Sequence, residues 1–331
     1  MADFPKLPRI KQDDENMEKM HCAARRGQTD LVRRLVSSGV DPAIQNKFGC
    51  TALHLACKYG QIGATRELAP HSDLSGLWHG QRPLHLAVVS GNADVANVLI
   101  ETAREQGRDI ATFVNECDEY EVFEVAGHAK HIQGQTALHW LIAQRNVPMI
   151  KSLLGLGASA TAKDKNGETP LMRCIEYNFV DEFELLMGAG NLRLESGDRQ
   201  GRTHLHWCLL HNREDMAKKV LATGHDVSLE DQDKNTPWSL AASAGMSALL
   251  DQMLANVDPF ALQQASFHNG TTVLPERLTW LDHCKDNDVV HNEVIRVLQR
   301  RLDSIVKSQT PAQAGRGKGP LQVAPSAPMK K

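Results

Sequence analysis

The chain of 331 residues is poor in aromatics, at 5 %, and carries a net charge of only −3. No apolar run approaches the roughly 18 residues that cross a bilayer. The weak net charge removes any global electrostatic case for nucleic acid or an anionic membrane. Its first residues, MADFPKLPRIKQDDEN, lack the basic-then-apolar pattern of a secretory signal. Missing too are GxSxG, HExxH and a phosphate-cradling GxxxxGK, so enzyme chemistry has no residue set to stand on. The seven cysteines are odd in number and follow no bridge-like spacing. They read as reduced thiols of a cytosolic or nuclear protein rather than a secreted one.

What is present is repetition. A phrase close to Thr-Pro-Leu-His-x-Ala begins at Thr51, Arg82, Thr136, Thr169, Thr203 and Thr236. Successive starts lie 31, 54, 33, 34 and 33 residues apart. The clearest unit, 164–191, reads DKNGETPLMRCIEYNFVDEFELLMGAGN. Gly167 suits a turn needing positive φ. Thr169 stands where a helix N-cap belongs, and Pro170 fits the first helical position. Leu171, Cys174 and Ile175 share one helical face. A second helix carries Phe179, Phe183, Leu185 and Leu186 and leaves at Gly190.

A period near 33 with this phrase resembles the ankyrin-repeat family over residues 17–255. The resemblance implies an all-α solenoid of stacked helix-turn-helix units, with short β-turn or hairpin connections and capped at both ends. About seven repeats fit within 17–255, at 20–42, 46–69, 77–101, 134–158, 164–191, 198–226 and 231–255, after an N-terminal extension at 1–16. A degenerate copy from Gly270 and an apolar stripe at Val290, Val294, Val297, Leu298, Leu302 and Ile305 occupy 256–307. That stripe reads as a capping helix or, alternatively, as a partner-binding amphipathic helix. The tail, 308–331, has a Pro-, Gly- and Ala-rich composition without acids, which reads as disordered.

The 54-residue interval holds an insertion of about 21 residues near 102–133, reckoned against the family period. Its acids Glu116, Asp118, Glu119, Glu121 and Glu124 surround Tyr120 and Phe123. Such a segment docks on a basic partner or, as the second reading, forms a β-hairpin finger packed on its own solenoid.

In the family resembled here, the motif histidine ties one repeat to the next, which assigns His21, His54, His85, His139 and His206 a structural role. No metal or cofactor is expected, since His128, His131, His283, His291 and Cys284 lack ligand spacing. Trp140, Trp207 and Trp238 fall on inward positions and read as core. The resemblance also implies that partners bind along the concave side. Carried over by register, its helix positions are Arg25–Arg26, Lys58–Tyr59, Val89–Ser90, Gln144–Arg145, Glu176–Tyr177, Leu210–His211 and Ser243–Ala244. The hairpin tips are Lys47–Phe48, Trp78–His79, Ile132–Gln133, Lys165–Asn166, Arg199–Gln200 and Asp233–Lys234. Candidate contacts are Arg25, Arg26, Lys47, Phe48, Lys58, Tyr59, Trp78, His79, Gln144, Arg145 and Tyr177, with Tyr120 and Phe123 of the insertion. Their basic and aromatic character suits a protein partner with an acidic segment. The bland alternative is a solvated face free to vary. No small-molecule substrate and no membrane are expected. RNA held on the same stripe, and an IκB-like inhibitor of a transcription factor or kinase, are the rival readings. The Met172 repeat lacks the motif histidine, so it is expected to be weaker than its neighbours.

Overall fold

The computed structural model describes residues 9–119, 134–190, 192–255 and, near the C-terminus, Arg296, Val297 and Arg300. Fifteen α-helices run through the first three of these stretches. Seven antiparallel pairs account for fourteen of them: α1 (Arg9–Arg26) with α2 (Thr29–Ser37), α3 (Ala52–Lys58) with α4 (Ile62–Leu68), α5 (Pro83–Val89) with α6 (Ala93–Glu105), α8 (Ala137–Gln144) with α9 (Val147–Gly155), α10 (Pro170–Tyr177) with α11 (Val180–Met187), α12 (His204–Leu210) with α13 (Glu214–Ala222), and α14 (Pro237–Ser243) with α15 (Ser247–Leu254). The odd one, α7 (Ile110–Val114), belongs to the insertion. α1 begins at Arg9, so part of the stretch set apart as an extension, 9–16, is helical and continuous with the first repeat.

The first helices of the pairs pack in one file, α1 on α3, α3 on α5, α5 on α8, and so to α14. The insertion therefore does not interrupt the inner layer. Each of these helices after α1 is short, and most start the same way. Thr51, Thr136, Thr203 and Thr236 close capping boxes, and the Thr169 hydroxyl accepts from Met172 N–H. Such a cap is worth about 1 kcal/mol. Pro83, Pro170 and Pro237 sit in the first turn, where no hydrogen bond is lost. Arg82 replaces the capping Thr, and its guanidinium instead donates to the Cys117 carbonyl at 2.9 Å.

One continuous core follows the solenoid, and it includes Leu53, Leu84, Leu138, Leu171 and Leu205 at the same motif position in successive repeats. Cys174 and Cys208 are buried at the small-residue position, and their apolar surroundings push both thiols upward. The hairpins approach each other closely at Gly167. Its φ is +76°, and a Cβ there would lie 2.8 Å from the Arg199 nitrogen, so glycine is needed on both counts. Val297 is helical and buried in the same core. Otherwise the degenerate copy, the capping stripe and the tail expected at 256–331 lie outside the described residues.

The insertion has a definite root. Cys117 bridges Thr136 in antiparallel fashion, and Asp118 exchanges backbone hydrogen bonds with Gln135 and Gly134. Asp118 Oδ1 accepts from the Gln135 amide at 2.8 Å. Asp164 and Asp198 do the same work in their own hairpins, each accepting two amides. The extra chain thus leaves from a hairpin tip. Fifteen residues, 119–133, stand where the fifth repeat has the two residues 165–166. Tyr120 and Phe123, with Ile132–Gln133, lie outside the described residues.

Candidate partner-binding surface

The seams between repeats are built from histidine. His21 Nε2 pairs with the Cys50 carbonyl at 2.8 Å, His54 with Gly76 at 3.0 Å and His85 with Gln135 at 3.1 Å. His139 reaches Glu168 at 3.3 Å, and His206 reaches Asn235 at 3.1 Å. Each ring spans to the following hairpin, as the motif position implies. Desolvation disfavours the charged imidazole and drives His85 down to about 4 and His139 to about 3.

At Met172 the seam is made differently. His204, one residue after the next capping Thr, turns back so that its Nε2 lies 2.8 Å from the Thr169 hydroxyl. Its Nδ1 pairs with the Leu194 carbonyl at 2.8 Å. His204 is fully buried, and desolvation lowers it to about 4. The missing tie is thus replaced by a neighbour's side chain.

The residue after the motif histidine holds the hairpin aspartate. Trp140 Nε1 donates to Asp118 at 2.8 Å and Trp207 Nε1 to Asp198 at 3.0 Å. In the fifth repeat Arg173 takes that place and pairs with Asp164 at 3.5 Å. Trp207 and Trp238 are buried as expected, whereas Trp140 is only half-buried. Their indole N–H groups give two of these tryptophans a polar task that an apolar reading misses.

These contacts leave one surface uncovered. Among the described residues, six large apolar side chains stand exposed: Phe48, Tyr59, Val89, Tyr177, Val180 and Leu210. Five of them, all but Val180, fall on the helix-end or tip positions that the register assigns to the concave side, with 42–64 % of their surface exposed. Arg25, Arg26, Lys47 and Lys58 are exposed alongside. The Arg25 guanidinium lies 5.0 Å over the Tyr59 ring, Lys58 Nζ 4.8 Å over Trp78 and Lys47 Nζ 5.1 Å over Phe48. A ladder of cations on aromatic faces therefore crosses the first three repeats, each rung worth about 0.5–1 kcal/mol in the open.

Three expectations need correction. Trp78 is not an exposed tip. It is half-buried beneath Lys58, with the rings of His54 and His79 at 6.2 and 4.9 Å. Arg145 is not a groove residue. Its φ of +56° matches Gly60, Gly91, Asn178 and Asn212 at the same distance from the cap, so it is the turn residue between helices. The pair Gln144–Arg145 is one residue out of register, and Asp233–Lys234 likewise, since Lys234 (φ +65°) fills the place of Gly167 and Gly201. Arg145 donates to the buried Glu182 at 3.0 Å and covers Phe179 at 4.8 Å. Gln144 is exposed and donates to the Val89 carbonyl at 3.1 Å. Third, the acids at the root of the insertion face inward. Glu116 pairs with Arg108 at 3.2 Å and Arg82 at 3.6 Å and accepts from the Ser75 hydroxyl, while Asp118 holds Trp140.

His79 is exposed at its tip, and Tyr177 stacks on Phe179 with centroids 5.6 Å apart. Glu176, beside it, belongs to a charged cluster that the register alone does not show. Arg173 meets Glu168 at 2.8 Å and Asp164 and Glu176 each at 3.5 Å. No group of three metal-ligating side chains occurs among the described residues. No described helix is long and apolar enough to cross a membrane.

A family model described as ankyrin repeats (3 copies) matches residues 20–113, 113–194 and 138–231. A solved ankyrin repeat protein from Leishmania major is 47 % identical, with a TM-score of 0.72, over 89 % of this chain and 99 % of that one. The solved ankyrin repeat domain of Bcl-3, described as a unique member of the IkappaB protein family, is 24 % identical with a TM-score of 0.56, over 71 % and 97 % of the two chains, a likeness of fold. The mouse B-cell lymphoma 3 protein homolog is 26 % identical over 49 % of this chain and 40 % of its own length. The chain spans 40 % or less of the curated relatives it matches. A motif that recurs at cap, seam and turn, and a family match running from residue 20 to 231, place this chain in the ankyrin-repeat family, a protein-interaction fold.

Proposed function

We propose that the chain is a non-catalytic scaffold or regulatory subunit that takes an acidic segment of another protein along its concave side and hairpin tips. The observation that carries this is the file of exposed apolar groups, Phe48, Tyr59, Val89, Tyr177 and Leu210, flanked at one end by cations without carboxylate partners among the described residues. Exposed apolar groups gathered on one face mark interaction sites. Six described cysteines are free thiols, which supports a cytosolic or nuclear setting.

The test is affinity capture by the intact chain from its own cells, compared with an Arg25→Glu/Lys58→Glu double variant. Both side chains are exposed, so the variant should melt like the parent yet lose its partners. Unchanged capture would remove the groove reading. An IκB-like stoichiometric inhibitor is the second reading, since the solved Bcl-3 domain that shares this fold is described as a member of the IkappaB protein family. Inhibition of a target kinase by purified chain, or retention of a transcription factor outside the nucleus, would separate it from a scaffold. RNA on the same cations requires affinity that falls steeply with salt.

A further inference from the structure

The concave side carries opposite charges at one register position. Seven residues after the capping threonine stands Lys58 in the second repeat and Glu176 in the fifth. Each is followed by an exposed tyrosine, Tyr59 and Tyr177. Lys58 has no carboxylate within ion-pair distance among the described residues, and Arg25 lies beside it on Tyr59. Glu176 is in the opposite situation. It shares the single guanidinium of Arg173 with two further carboxylates, so the cluster is net negative. Its Oε2 atom is buried and faces the Arg173 guanidinium at 3.5 Å without a hydrogen bond among the described residues. The Glu176 side chain is nonetheless 32 % exposed, so a cation arriving from outside can reach the carboxylate beside Arg173.

Building on the concave-side reading of the proposed function, we propose that the groove selects a bipolar, extended segment of a partner protein. Carboxylates at one end lie over Arg25 and Lys58, apolar side chains follow past Val89, and a lysine or arginine at the other end donates to Glu176. A uniformly acidic segment would meet repulsion there, because it would approach a cluster with more carboxylates than cations. Three repeat steps of roughly 8–10 Å separate the two poles, about 24–30 Å in all. That is the length of roughly seven to nine extended residues.

The experiment pans displayed random peptides, long enough to span both poles, on the full chain and on Lys58→Glu, Glu176→Lys and Glu176→Gln. The parent should enrich peptides with acids at one end and Lys or Arg roughly seven to nine residues away. A synthetic peptide of that consensus should bind Glu176→Gln roughly fivefold more weakly, the worth of an exposed ion pair. Glu176→Lys should lose the cationic preference and keep the acidic one, and Lys58→Glu should do the reverse. Acid-only enrichment that neither Glu176 variant changes overturns the bipolar assignment while the groove reading stands. Enrichment insensitive to Lys58→Glu removes the groove reading itself. A uridine oligonucleotide that outcompetes the enriched peptides overturns both.

Discussion

The second and fifth repeats perform the same structural tasks with different residues. Both are capped by threonine, but His54 completes the box in the second, while His204 reaches in from the next repeat to serve the fifth. Asn46 holds the second hairpin by accepting from Phe48 and Cys50, and Asp164 holds the fifth by accepting from Asn166 and Glu168. The turn between helices is Gly60 in one and Asn178 in the other, both with positive φ. Seven residues after the capping threonine the two diverge outright: Lys58 stands on the Trp78 ring and Glu176 beside Arg173, each next to a tyrosine. The solenoid constrains what must be buried or bonded and leaves the sign of its outer charges free to vary.

The sharpest way to break this equivalence is to remove the same core leucine from each repeat. Leu53 and Leu171 are both fully buried, so Leu53→Ala and Leu171→Ala should each cost about 2–5 kcal/mol. Denaturant unfolding measures both. A loss well under 1 kcal/mol at either would show that the repeat there is not packed as described.

The seams come next. His54→Ala leaves the Gly76 carbonyl and the Thr51 amide without their partner, and His204→Ala strips the Thr169 hydroxyl of its own. Each should cost about 1–3 kcal/mol. If His204→Ala were neutral, its role as a replacement tie would fail. Amide exchange across the fifth and sixth repeats gives an independent reading, since a broken seam frees local opening there.

Acid should act through the same rings. Burial holds His85, His139 and His204 neutral, with folded values near 3–4 against 6.5 in the unfolded chain. A depressed histidine contributes stability that is present above 6.5 and lost as pH falls from 6.5 toward its folded value. Each such ring should remove roughly 1.4 kcal/mol per pH unit in that window. Unfolding curves at several pH values check this, and His204→Gln should lessen the slope. The smallest stability effect belongs to the groove: Lys58→Glu should change stability by less than about 0.5 kcal/mol while altering binding strongly.

Much of the architecture is readable along the chain because its cues recur. A cap, a proline and a leucine at fixed offsets, met several times, identify helix starts that no single copy would. The exposed file, too, follows from register for Tyr59, Val89, Tyr177 and Leu210. Register fails where the local cue is missing. Arg145 occupies a left-handed turn position that other repeats mark with Gly or Asn, and without that mark the pair slides by one residue. The insertion misleads for another reason. Glu116 and Glu121 look alike in sequence, and only folding brings Arg82, Ser75 and Arg108 around the first of them.

The sequence by itself marked the seven helix pairs of the described residues, most of their caps and the buried face of the first helix in each repeat. These depend on neighbours three or four residues apart or on one recurring position. Which charges remain free, which tryptophans carry hydrogen bonds and which histidine closes the fifth seam were decided only by stacking. The partners in these cases lie on other elements, as Glu182 does for Arg145 and His204 for Thr169. A charge is neutralised by whatever the fold sets beside it, and no local pattern carries that information.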